Sequence, residues 1–117
     1  MKRPKGSVDA IFHVPSNLLR NHISLLIDKA IKDKLPLSVH EESIVHEGAL
    51  VSYGNDFRLI GVQAAKIVVK VLNGTKPSDI PIETPERPVL IVNRTTAKTI
   101  GLKVPRKFLE RVDRIVE

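Results

Sequence analysis

The stretch Pro36–Lys66, PLSVHEESIVHEGALVSYGNDFRLIGVQAAK, decides how this chain folds. Leu37 to Val39 reads as a short strand, and Glu41 to Glu47 supplies one or two helical turns. Gly48 permits a tight reversal, because glycine tolerates backbone conformations closed to other residues. Ala49 to Tyr53 reads as the next strand. Gly54 and Asn55 break it, and Asp56 stands where a helix cap belongs. The helix behind it runs to about Leu72, with Ile60, Ala64, Ile67, Val68 and Val71 as its apolar stripe. His40, Glu41, Glu42, Tyr53, Asn55 and Asp56 fall at strand ends and turns, off the repeating apolar faces. In open α/β sheets those ends are where ligands sit.

Outward from this stretch the same alternation continues. Val8 to Val14 reads as a strand that Pro15 ends. Ser16 caps a helix extending to about Asp33, whose positions Leu19, Ile23, Leu26, Ile27, Ala30 and Ile31 follow the 3.6-residue period. Lys29, Lys32 and Lys34 suit the negative pole of its dipole, and Pro36 blocks continuation. After Leu72, Asn73-Gly74 stops the long helix, because both residues tolerate the left-handed conformation. The following TKPSDIPIETPERP carries four of the chain's eight prolines and reads as an extended connector. Val89 to Val92 is a further strand, and Thr95 to Ile100 a short helix ended by Gly101. Pro105 opens a last helix with Phe108, Leu109, Val112, Ile115 and Val116 on one face. Strands alternating with helices imply an α/β fold: a mostly parallel, Rossmann-like sheet flanked by helices. Residues 1–117 read as a single α/β domain, with 1–7 as a basic tail carrying Lys2, Arg3 and Lys5.

The 117 residues suit one domain, and 42% are hydrophobic, enough for a core. Three Phe, one Tyr and no Trp make that core aliphatic. The absence of Cys excludes disulfides and thiolate metal sites. No apolar run approaches the ~18 residues that span a bilayer. The start does not read as a secretory signal, since Asp9 and His13 interrupt its short apolar run. The net charge of +6 raises nucleic acid as a partner. The basic residues are dispersed, however, and no aromatic residues interleave with them as a stacking platform requires. A solvated helix face explains the pattern as well, so nucleic-acid binding is the weakest functional reading; it predicts an interaction that collapses with salt.

No catalytic motif can be written. There is no G-x-S-x-G, no G-x-G-x-x-G and no Walker-type run, so no motif points to an enzyme or to a cofactor. His40 and His46 are spaced too far apart for the metalloprotease pattern of two histidines four apart, and no metal site is expected. His13 and His22 read as structural. Glu41, Glu42 and Asp56 could hold the ammonium group of a small ligand. The local alternative is that Asp56 caps its helix and the two glutamates are solvated.

Nearly the whole chain from Val8 onward resembles the C-terminal part of the ABC-transporter substrate-binding protein family of the type I periplasmic-binding fold, in the branch associated with aromatic amino acids. The family's D-A-[IL]-[YF]-V-P-T-D-N is similar to DAIFHVPSN at Asp9 to Asn17. Its P-V-F-x-S-D-E-S-L-V-x-x-G-A-L-A-S-Y-G-x-D-Y-x-x-L-G resembles PLSVHEESIVHEGALVSYGNDFRLIG at Pro36 to Gly61. VKVLNGTKPSDIPIETP at Val69 to Pro85 is similar to K-I-L-x-G-x-K-P-x-D-I-P-V-E-T-P, and IVNRTTAKTIGLKVP at Ile91 to Pro105 to I-N-x-x-T-A-K-x-L-G-L-x-I-P.

The resemblance implies a non-catalytic protein that captures a small solute, such as an amino acid, in an interlobe cleft and hands it to an ABC permease. It also implies a periplasmic or extracytoplasmic lipoprotein. Carried over residue by residue, it assigns ligand binding to Ser16 and Asn17 after the first strand, Glu41 after the second, and Tyr53 and Asp56 around the third. His40 and Glu41 are bulkier than the family's Ser-Asp. About the first two-thirds of a complete member is missing. By the same resemblance, Val8 to Val39 and Val89 onward belong to one lobe and Ala49 to Leu72 to the other. Such a piece either repacks as a compact α/β unit or associates with copies of itself to cover its apolar faces. The alternative function is a small interaction or regulatory module that has lost ligand binding.

Overall fold

A computed structural model describes residues 7–117; the expected basic tail lies outside the described residues, apart from Ser7. Five strands form one sheet in the order β1-β2-β3-β4-β5: Ile11–Phe12, Leu37–Val39, Val51–Gly54, Val89–Asn93 and Arg114–Val116. β1 runs parallel to β2, β2 to β3 and β4 to β5, while β3 and β4 are antiparallel. The expected mostly parallel α/β fold is therefore present. Six helices accompany it: α1 Asn17–Asn21, α2 Ile23–Lys32, α3 Glu42–His46, α4 Phe57–Leu72, α5 Arg94–Thr99 and α6 Arg106–Leu109. Among the described residues, no helix is long and apolar enough to cross a membrane.

The chain divides into two compact units. The first contains the sheet and runs to Gly54, resuming at Val89. Its core is aliphatic. Ile23, Ile27 and Ala30 of α2 and Ile44 and Val45 of α3 pack with Leu37 and Val39 of β2, Ala49, Val89 and Ile91. A smaller cluster joins Leu50 to Ala97 and Ile100. Asn93 ties these parts together. Its side chain caps α5 by accepting the Thr96 N–H at 2.8 Å and donates to the Val45 carbonyl at 3.0 Å. The second unit, Asn55–Pro88, is α4 with the proline-rich connector laid along it. Gln63 donates to Glu83 and to the Thr84 carbonyl, and Lys70 pairs with Glu83 at 3.7 Å. None of the α4 residues is buried.

Three expectations are revised. The N-terminal helix is two helices, because at His22 (φ −119, ψ 22) the backbone leaves helical geometry. The last helix is one turn, and Arg114–Val116 is instead a strand. Its helical spacing yields to a ladder on β4: Asp113 donates its N–H to the Leu90 carbonyl, and its carboxylate accepts the Leu90 N–H at 2.8 Å. β-Branched Ile115 and Val116 fit that pleated setting. Finally, the stretch from Ala49 does not leave the first unit as a block. β3 pairs with both β2 and β4, so the chain passes to the second unit only after Gly54.

Candidate functional site

Because β1, β2 and β3 are mutually parallel, their carboxyl ends share one edge of the sheet. β1 ends at His13 and the turn Val14-Pro15-Ser16; β2 ends at His40 and Glu41; β3 ends at Gly54. Loops at such an edge are free to vary while the strands fix where they start.

Ser16 has extended backbone and its hydroxyl faces the Leu19 N–H at 3.4 Å, as its capping role requires. Asn17 is the first residue of α1 and is exposed. Glu41 occupies the residue before α3 and accepts the hydroxyl of Ser43. Arg20 of α1 reaches across this edge to Glu41 at 3.8 Å and to Glu47 at 3.0 Å. Ser16, Asn17 and Glu41 thus lie on one edge, and Arg20 links Ser16, whose carbonyl accepts its N–H, to Glu41. Tyr53 lies within β3, opposite Leu90, and is exposed. Asp56 belongs to the second unit. It is buried and caps α4, accepting the N–H groups of Arg58 at 2.9 Å and Leu59 at 3.2 Å.

Sequence reasoning treated His13 as structural and His40 as a turn residue. The structure brings them together. Their rings stack with centroids 5.5 Å apart and planes 11° apart. His13 is 1% exposed, yet among the described residues neither of its ring nitrogens has a hydrogen-bond partner, and the buried Nδ1 of His40 also lacks one. Desolvation holds the His13 pKa below its ordinary value; His40 and Arg20 lower it further, and Glu41 opposes them. The sequence signal was two histidines at the carboxyl ends of consecutive strands. Only the parallel pairing of β1 on β2 turns that into contact. No group of three or more acidic, histidine or cysteine side chains suited to a metal occurs among the described residues.

The chain belongs to the ABC transporter substrate binding protein family, whose profile matches residues 1–116. It is 29% identical over 98 residues to the tyrosine-binding protein of Clostridioides difficile, which covers 84% of this chain and 28% of that protein. It is 30% identical over 90 residues to an uncharacterized protein of Rickettsia prowazekii, covering 77% and 29%. Among solved structures, it is similar to an ABC domain from Streptococcus pneumonia in complex with L-Trp. The TM-score is 0.78 at 25% identity, covering 96% of this chain and 39% of that one. A conserved domain protein of Vibrio cholerae gives a TM-score of 0.76 at 30% identity, covering 92% and 36%. The chain thus spans under a third of its curated relatives. Proteins of this family bind small solutes and work with ABC transporters.

Proposed function

We propose that this chain carries one wall of a solute site in an ABC transporter binding protein, and that the solute is an amino acid with an aromatic side chain. Ser16, Asn17 and Glu41 meet the solute's polar groups from the shared strand edge, with Tyr53 as a further contact. The chain performs no catalysis. It acts outside the cytoplasm, tethered by lipid, and passes its solute to a permease. The observation that carries this reading is the convergence of three parallel strand ends in a member of this family. The tyrosine-binding and L-Trp-bound relatives support the choice of solute.

A thermal-shift screen over the amino acids tests the proposal. A solute that binds only the folded state raises the melting temperature by mass action. The expected result is a rise with tyrosine or tryptophan that disappears in Glu41→Gln. No rise with any solute rejects the proposal.

A second reading rests on α4. Its residues Phe57, Val62, Val68, Val69 and Leu72 are all exposed. An uncovered helix of this kind suits a small α/β interaction module, or self-association through the same face. Light scattering at micromolar concentration distinguishes them from a lone solute-binding lobe: a clean monomer removes self-association.

A further inference from the structure

The strand that delivers Ser16 and Asn17 is weakly held. β1 is two residues long and lies at the margin of the sheet. Beside the ladder bonds of its pairing with β2, its backbone is anchored by the Ile11 N–H on the Pro36 carbonyl and the His13 N–H on the Ser38 carbonyl, both at 2.8 Å. Ile11 packs against the core from the start of β1, while Phe12 is exposed. The fully buried side chain at the end of β1 is His13, and what it stacks on is His40.

That contact suits two neutral rings and not a charged one. A proton on His13 would make a buried cation with no hydrogen-bond acceptor at either nitrogen. The groups facing the pair do not compensate. From α1 comes Arg20, itself a cation. At the head of α3 stands Glu41, whose carboxylate is already taken by Ser43 and faced by Arg20. The remaining acids of α3 and its end are occupied too: Glu42 by Arg114 and His46, Glu47 by Arg20. A protonated His13 therefore gains most by reaching water, which requires the end of β1 to leave β2.

We propose that the His13–His40 stack is a proton-operated latch: neutral, it closes the end of β1 onto β2; protonated, it releases it. Ser16 and Asn17 follow His13 within a few residues, whereas Glu41 stays with β2 and α3. Opening the latch separates these side chains. On the solute-binding reading above, acidification then loosens the wall of the site and weakens retention of the solute. The latch itself does not depend on that reading.

The test uses the unliganded protein, so its failure is separate from any failure to bind solute. Amide hydrogen exchange is followed by NMR from pH 7.5 to 5.5 and corrected for intrinsic chemistry. Protection of the Ile11 and His13 amides is expected to fall by about tenfold or more, as for a local opening that takes up a proton. Protection of the Leu50 and Asn93 amides, which bond to Leu37 and Leu50 inside the sheet, is expected to hold. His13→Phe keeps an aromatic ring on His40 without the titrating group that opens the latch, and in it the local pH dependence should vanish. Constant protection in the native protein overturns the latch, as does an undiminished pH dependence in His13→Phe. If that variant does not fold, the native protein still decides: the loss of protection must share its midpoint with the His13 imidazole titration, and a mismatch overturns the proposal.

Discussion

Gly54 passes so close to His40 that a Cβ built on it would stand 2.1 Å from the His40 carbonyl oxygen. The contact joins the carboxyl ends of β2 and β3, where the candidate site begins. The obstacle is backbone, not a flexible side chain, so a substitution there has to move a strand. Gly54→Ala is expected to destabilise the protein by about 2 kcal/mol or more, measured by urea denaturation. Gly61 is the internal control. It lies inside α4, where an added Cβ would meet, among the described residues, nothing within 4 Å beyond its chain neighbours and the helix's own backbone. Gly61→Ala should be neutral or stabilising by about 0.5–1 kcal/mol, because alanine loses less backbone freedom in a helix.

Asn93 bridges Val45 and Thr96 in a buried setting. Asn93→Ala removes a helix cap and leaves the Val45 carbonyl without this donor. The expected loss is about 2–3 kcal/mol, again read by urea denaturation. Asp56→Ala removes the cap of α4 and should cost about 1 kcal/mol or more, visible as reduced helical circular dichroism on heating.

Stability should also depend on pH through His13. Its folded-state pKa lies below the ordinary 6.5, so the unfolded chain takes up the proton first as pH falls. The contribution of the neutral imidazole is fully present above 6.5 and is lost progressively below it, until the folded form also protonates. Denaturation midpoints measured between pH 8 and pH 5 should decline on the acid side, and His13→Phe should flatten that decline.

Much of this was legible because it is local. The Asp56 cap, the end of α4 at Leu72 and the strands at Leu37–Val39 and Val89 depend on neighbours a few residues away. What was missed depends on distant partners. Ile115 and Val116 carry a helix-compatible spacing, and only the exposed ladder of β4 makes them a strand. The run from Leu19 to Ile31 keeps its apolar period across His22, so periodicity could not show the break. The candidate site divides in the same way. Ser16 and Asp56 were visible as caps, while the stack of His13 on His40 follows from a parallel pairing that no short motif encodes.

The central claim is that the strand edge bearing Ser16, Asn17 and Glu41 binds an aromatic amino acid. The protein contains no tryptophan, so the emission of added L-tryptophan reports directly on the solute. Titrating L-tryptophan with increasing protein should give a saturable blue shift as the indole leaves water, reversed by excess L-tyrosine and abolished in Glu41→Gln. Emission that stays at the wavelength of tryptophan in water at every concentration of folded protein would contradict the account.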